Sequence, residues 1–401
     1  MKLLVLLLDL LLIVLPFGVL LRFQFLSEIY FYPHDIILGA ILFVLFFLFY
    51  QKKIIPQTRL IFYSLSAFLL FCFVALVLNA LKLTPPQVLV SFLYLVRILL
   101  YSSALFMFEF LSKKTIDDFL KKLAAVLALF VLFGIGQYFF YNDLGALKVF
   151  NWDIHKDRLF GSVLDPNFAG SIILIEIFIL TYFYIGEIKK NSKRVLSISL
   201  FISLVAIFLT YSRSSYIALF VSGIAFFLLT KQLKLFWSAL LFLFMAFLLI
   251  PKSFSVEGMN LLRTGSVIGR LESFSDALSV FSSSPIFGVG FNAYRYAQFR
   301  LGLLDVNWLM THAGAGVSNS YLFVLATTGM VGFLLFLFFL YFLFKILFER
   351  RKQGIALADF AIAALIGILV HSLFDNTFFY PFTMLWLFIL MGITVSQRKP
   401  S

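Results

Sequence analysis

The sequence predicts an all-α polytopic membrane protein, and three observations predict it. Hydrophobic residues make up 62% of the 401-residue chain and charged residues 13%, whereas a soluble domain runs near half and about a quarter. Apolar runs of about 20 residues, the length a helix needs to cross a bilayer, recur from end to end. The Lys and Arg residues gather in alternate connections between those runs, as the positive-inside rule requires. Together these exclude a soluble enzyme, a DNA-binding protein, a secreted disulfide scaffold and a disordered chain. The single cysteine, Cys72, excludes an internal disulfide and a Cys-based metal cage.

Taken in order, the apolar runs bounded by charge give about twelve spans: 3–21, 36–50, 60–81, 88–111, 120–141, 167–186, 195–211, 214–230, 235–250, 319–345, 356–374 and 377–396. Eleven is also compatible with the pattern. No part reads as a cleaved signal peptide, because the first run opens Met1-Lys2, is long and lacks a small-residue cleavage site. With the N-terminus inside, 20 of the 32 Lys and Arg residues fall in inner segments and 11 in outer ones, with Arg97 within a span. Counting acids as well, the inner segments carry +15, the outer ones about zero and the spans −2. The net charge of +13 is therefore an orientation signal, which puts both termini in the cytoplasm and needs no nucleic acid.

The chain is expected to form one integral membrane domain over 1–401, with two long outer connections at 142–166 and 251–318. Long ordered connections are usually functional. The second contains an amphipathic helix over 269–281, whose Leu271, Phe274, Leu278 and Phe281 recur at helical spacing. Ser284-Pro-Ile-Phe-Gly-Val-Gly290 ends it. The two halves of the chain show no inverted repeat, which counts against a repeat-built transporter.

Ionisable groups at the apolar boundary are expensive and mark candidate function. Arg213 sits in Thr210-Tyr-Ser-Arg-Ser-Ser-Tyr216, a hairpin between two spans rich in hydroxyls. The bland alternative is a snorkelling arginine. Arg158 opens a segment leading to Asp165-Pro166-Asn167, expected to be a turn and the N-cap of the sixth span. Arg270 begins the amphipathic helix, and Arg263, Arg295 and Arg300 share its outer connection. Arginines collected on one face of a lipid-embedded protein suit a lipid-linked diphosphate, because guanidinium matches phosphate oxygens two at a time. Arg97 is expected to pair with a carboxylate, with Glu109 and Glu176 as candidates. The four histidines, His34, His155, His312 and His371, form no metal-spaced cluster, so neither a metal nor a cofactor is expected. His312 lies in a glycine-rich outer loop, where it is placed to act as a general base on an incoming hydroxyl. His371, near the outer end of the eleventh span, reads first as a hydrogen-bonded helix histidine.

These segments, in this order, resemble the O-antigen ligase/polymerase superfamily of bacterial envelope glycan assembly. The matching pieces are Arg158, Gly161 and Asp165-Pro-Asn-Phe-Ala169, then Thr210-Tyr-Ser-Arg-Ser-Ser215, then Gly269-Arg270 with Ser284-Pro-Ile-Phe-Gly-Val-Gly290. Asn319-Ser-Tyr-Leu322, Thr328-Gly-Met-Val-Gly332 and His371-Ser-Leu-Phe-Asp-Asn376 complete the set. The resemblance implies a metal-independent, inverting glycosyltransferase, multi-pass in the bacterial inner membrane and active on its periplasmic side. Its partners would be an undecaprenyl-diphosphate-linked glycan, an acceptor glycan (lipid A-core or a lipid-linked repeat unit) and membrane lipids. It implies diphosphate binding at Arg213 and Arg270, with Arg158, and substrate contacts among Arg295, Asn319, Tyr321 and His371. Ligases usually carry a histidine just before the Asn-x-Tyr; here that position is Ser318, which leaves His312 as the expected catalytic base beside Arg213 and Arg270. A flippase or other transporter of lipid-linked oligosaccharide is the alternative class. It calls for charges spread through the spans, where this chain has only Arg97, Asp9, Glu109 and Glu176.

Overall fold

The computed structural model describes residues 2–26, 29–51, 56–150, 153–234, 264–304 and 316–397, with isolated positions between 237 and 260. Thirteen α-helices are found among them. They are α1 (Lys2–Val14), α2 (Pro33–Gln51), α3 (Pro56–Asn79), α4 (Pro85–Ser102), α5 (Lys113–Phe140), α6 (Pro166–Gly186) and α7 (Lys190–Leu209), followed by α8 (Arg213–Thr230), α9 (Gly265–Ser283), α10 (Tyr294–Arg300), α11 (Ser320–Lys352), α12 (Leu357–His371) and α13 (Pro381–Ser396). A small hairpin that the sequence pattern did not announce, β1 (Phe23–Leu26) and β2 (Ile29–Phe31), joins α1 to α2.

Nine of the described helices, α1 to α8 and α11, are long and apolar enough to cross a membrane. Helices α12 and α13 are apolar but shorter. These eleven correspond to eleven of the twelve expected spans; most of the remaining one, 235–250, lies outside the described residues. Burial explains the short pair. In α13 every residue from Phe382 to Val395 is buried, and α12 is nearly as enclosed. Helices this enclosed lie inside the bundle, away from its lipid-facing rim. By contrast α3 exposes Leu70, Phe73 and Val77, and α7 exposes Ile198 and Phe201, as helices on a lipid-facing rim do.

The bundle has two chemically distinct ends. At the basic end Arg350 donates to the Val395 carbonyl at 2.7 Å, and Arg351 to the Leu229 carbonyl and the Asp359 carboxylate at 2.6 Å each. These bonds tie together the ends of α8, α11, α12 and α13. The opposite end, the loop end, gathers the hairpin, the 142–166 connection, α9, α10 and the turn at 372–380. Its seams are direct: Leu159 N–H to the Leu209 carbonyl at 2.8 Å, Ser320 N–H to the Ser372 carbonyl at 2.9 Å, and Tyr94 Oη to the Phe379 carbonyl at 2.7 Å.

Helix α11 is broken at Gly329, whose φ of 66° is left-handed. Into the break fits Pro285 to Gly290, the segment that ends α9. Val289 N–H donates to the Ala326 carbonyl and Gly290 N–H to that of Thr327; Met330 N–H returns a bond to Pro285. A Cβ at Gly329 would stand 2.3 Å from the Ile286 oxygen, and one at Gly288 would stand 2.3 Å from the Thr327 carbonyl carbon. Only glycine lets two backbones meet this closely. The glycine motifs at 284–290 and 328–332 are thus two halves of one joint, which hangs α9 on α11.

Candidate functional site

The site is built around the turn Thr210-Tyr211-Ser212 between α7 and α8. Tyr211 adopts φ 48°, an outlier for a bulky residue. Arg158 holds this turn from beneath. It is 6% exposed, and its Nε donates to the Thr210 carbonyl at 2.8 Å and its Nη2 to the Tyr211 carbonyl at 3.4 Å. Those contacts make Arg158 a brace for the turn. Asp165 caps α6 as expected, accepting from the N–H groups of Asn167 and Phe168. Asn167 then accepts from Ser212 Oγ at 2.8 Å. Helices α6 and α8 approach closely because residue 170 is glycine: a Cβ there would meet Ser215 Oγ at 2.2 Å.

The hydroxyls flanking Arg213 serve the fold more than the arginine. Ser212 bonds Ser214 and Ser215, at 3.0 and 2.9 Å. Ser214 and Ser215 each lie 3.1 Å from His371 Nε2, and Thr377 Oγ1 lies 2.6 Å from its Nδ1. His371 is fully buried, so both ring nitrogens are taken by hydroxyls and the ring positions α8 against α12. Arg213 points away from this cluster, and its Nη2 donates to Ser266 Oγ on α9 at 2.6 Å.

Ser266 and Arg270 are one turn apart on the same face of α9, so the two arginines are neighbours and lie close enough to repel each other. Helix α9 begins at Gly265, four residues before the amphipathic pattern suggested, and that extra turn supplies Ser266. Its buried side is Ala277 and Val280, while Leu271 and Leu278 are exposed beside Val267 and Ile268. Half of the expected apolar stripe therefore faces outward.

Arg270 meets a residue that spacing alone did not select. Its Nε donates to the Phe374 carbonyl at 2.8 Å and its Nη2 to Asp375 Oδ2 at 3.2 Å. The same oxygen accepts from Ser214 Oγ at 3.2 Å. Asp375 is 16% exposed, and burial pushes its carboxyl up to about 7; Arg270 opposes that rise and the Asp165 carboxylate adds to it. The Asp375 carboxyl is thus pushed toward neutrality beside Arg270. Its only sequence signal is membership of the His371 to Asn376 segment.

The other expected site residues are placed as follows. Asn319 caps α11, accepting from the N–H groups of Tyr321 and Leu322 and donating to the Leu373 carbonyl. Tyr321 Oη donates to the Leu369 carbonyl at 2.9 Å. Both pin the start of α11 to the 369–375 segment next to Asp375. Arg295 lies apart, stacked on Tyr296. His312, Arg263 and most of 251–263 lie outside the described residues. Arg97 is paired, but with Asp35 at 3.0 Å rather than with Glu109 or Glu176; Glu176 accepts from Ser203 instead. Tyr94, one turn away on α4, bonds Phe379 just before α13, so this part of α4 lies at the loop end, level with the starts of α2 and α13.

Chemically, the arrangement offers two neighbouring guanidinium groups, a titrating carboxyl and a surround of hydroxyls, suited to a ligand with two adjacent negative charges. Comparison with curated proteins gives no match. Residues 198–337, which carry Arg213, Arg270, Asn319, Tyr321 and both halves of the glycine joint, match the family model described as O-Antigen ligase. That match supports the O-antigen ligase/polymerase superfamily, a family of ligase-type glycan transfer, for this chain.

Proposed function

We propose that this chain is a membrane-embedded glycosyltransferase that moves a glycan from an undecaprenyl-diphosphate donor to an acceptor sugar hydroxyl. Its acceptor is a lipid A-core sugar or the next lipid-linked repeat unit. The loop end is the periplasmic face of the inner membrane, and both termini are cytoplasmic. One observation carries the reading: Arg213 and Arg270 converge through a single turn of α9. Two fixed guanidinium groups in a partly dry site stabilise charge as it develops on a departing diphosphate.

In the step proposed, the acceptor oxygen forms a bond to the anomeric carbon from the face opposite the phosphate. The bond between that carbon and the phosphate oxygen breaks, and the diphosphate leaves with the electron pair between Arg213 and Arg270. The acceptor proton passes to a base, assigned to His312 on the sequence evidence; such catalysis contributes about 10²–10⁴-fold. No metal is required by this scheme, and attack from the opposite face inverts the anomeric configuration. Arg158, Asn319, Tyr321 and His371 hold the frame.

The test is glycan assembly in a deletion strain complemented with variants. Arg213→Ala and Arg270→Ala, present at normal levels, are expected to lose transfer by 10²-fold or more, the size of removing one preorganised charge donor. Full transfer by either would sink the proposal. In the uncomplemented strain, a single repeat left on the core identifies a polymerase; bare core with lipid-linked polymer accumulating identifies a ligase.

A further inference from the structure

A cavity of about 360 Å³ with both signs of charge in its wall opens between the starts of α1 and α5. Both helices finish in connections gathered at the loop end, so their starts lie at the basic end. The charge pattern of α5 sets the depth. Its 28 residues span about 42 Å by helical rise, against about 30 Å of hydrocarbon. All its charged residues fall within 113–122, and 123–140 has none. The excess length therefore stands at the start of the helix, which puts the cavity at the level of lipid headgroups. Lys114, Asp118 and Lys122 line it at four-residue intervals, alternating in sign along one face of α5, and Asp9 lines it from α1. Lys122 Nζ donates to Asp9 Oδ1 at 2.7 Å. Asp118 has a loose partner, Lys121 at 3.6 Å with both side chains exposed, an arrangement that contributes little. Lys114 makes no hydrogen bond or ion pair with a described residue.

The wall thus offers one ammonium and one carboxylate a helical turn apart, with the Lys122–Asp9 ion pair beside them. Its apolar part is Leu8 and Phe119, both buried. Next to it α1 exposes Leu3, Leu6 and Leu10, as a lipid-facing surface does. Basic pockets between membrane helices on the cytoplasmic side hold lipid headgroups, and here the signs select which kind. Two lysines and two aspartates sum to zero, so an anionic headgroup meets carboxylates as well as ammonium groups. A headgroup with a phosphate and a primary ammonium two carbons apart satisfies Lys114 and Asp118 together, each through a charge-assisted hydrogen bond. We infer that this cavity binds the aminoethyl phosphate headgroup of a phospholipid in the leaflet at the basic end. The phosphate accepts from Lys114, the ammonium donates to Asp118, and the acyl chains lie along the exposed leucines of α1. None of this depends on Arg213, Arg270 or the glycan-transfer reading.

The test is native mass spectrometry of the full-length protein in detergent, titrated with phosphatidylethanolamine, phosphatidylglycerol and phosphatidylcholine of identical acyl chains. Wild type is expected to retain phosphatidylethanolamine about fivefold more than either of the others, the upper size of an ion pair at a partly exposed site. Phosphatidylcholine keeps the phosphate but has no ammonium N–H for Asp118, and phosphatidylglycerol has no cation. Asp118→Asn leaves the wall at +1 and should bring phosphatidylglycerol level with phosphatidylethanolamine or above it. Lys114→Ala removes the phosphate's donor and should lower retention of all three. Both residues are exposed, so the thermal midpoint should hold in each variant. Equal retention of the three lipids by wild type overturns the inference, as does a wild-type preference for phosphatidylglycerol or phosphatidylcholine. Wild-type behaviour in both variants overturns it too. Soluble glycerophosphoethanolamine at the lipid's concentration should leave the lipid bound; displacement would give the site to a free phosphoester instead.

Discussion

Replacing Asp375 by Asn tests how the site admits its donor. In the wild type Arg270 is paired with Asp375 Oδ2 at 3.2 Å, so under the proposed function an incoming diphosphate competes with an internal carboxylate. Burial raises that carboxyl to about 7. Below that pH it is neutral and Arg270 is available; above it the carboxylate holds Arg270. If only the neutral form admits donor, the competent fraction at pH 8 is about one tenth, and the donor KM rises about tenfold from its value at low pH. The 16% exposure of Asp375 lets solvent moderate this figure without changing its sign. Arginine stays charged throughout, and a diphosphate esterified at both ends has no group that titrates near neutrality. Within the donor site the carboxyl is therefore the group that gives the slope. Donor KM measured in vesicles from pH 5.5 to 8.5 is expected to climb through about pH 7 in wild type and to stay flat in Asp375→Asn. An equal slope in both proteins refutes this account, as does a flat wild-type profile.

Two other substitutions separate framework from chemistry. Gly329→Ala places a Cβ 2.3 Å from the Ile286 oxygen at a φ of 66°, so it is expected to cost about 2 kcal/mol or more from left-handed strain and crowding together. The thermal midpoint of the purified protein should fall, and an unchanged midpoint would contradict the backbone joint. Arg158→Ala strips the donor from the Thr210 and Tyr211 carbonyls, an expected loss of about 1–3 kcal/mol. Stability and turnover should drop together in that variant, whereas Arg213→Ala should lose turnover at an unchanged midpoint. The opposite pattern would exchange the roles of the two arginines.

Apolar length and the alternation of basic connections are local properties of a sequence, so the membrane helices were legible from it. Arg213 and Arg270 are candidates from the sequence alone because each stands on a recognisable segment. What joins them was not. Arg270 finds Asp375 across 105 residues and Arg97 finds Asp35 across 62, and no periodicity encodes a pairing over such separations. Of the hydroxyls around Arg213, Ser214 and Ser215 face His371 instead, because one turn of α8 sends neighbouring side chains to different partners. The glycine runs at 284–290 and 328–332 carried no sign that each was the other's partner. A glycine marks the need for space, and only the packed chain reveals what fills it.

The charge of the site gives Asp375 its meaning. A diphosphate esterified at both ends brings two negative charges, and Arg213 with Arg270 supplies two positive ones. With the Asp375 carboxyl neutral, the complex balances; with it ionised, a carboxylate is left in a partly dry site beside the diphosphate, and such burial of unmatched charge is costly. The diphosphate thus favours the protonated carboxyl, and binding near pH 7 should draw in a proton. When the bond to the sugar breaks, the diphosphate gains a further negative charge, which two arginines and a neutral carboxyl receive better than two arginines and a carboxylate. On the proposed function, the same proton would both admit the donor and ease its departure. A half-buried aspartate next to an arginine is, on this proposal, more than a resting counter-ion. It holds Arg270 in the structure and, on the proposed function, would yield by protonation as a diphosphate arrives.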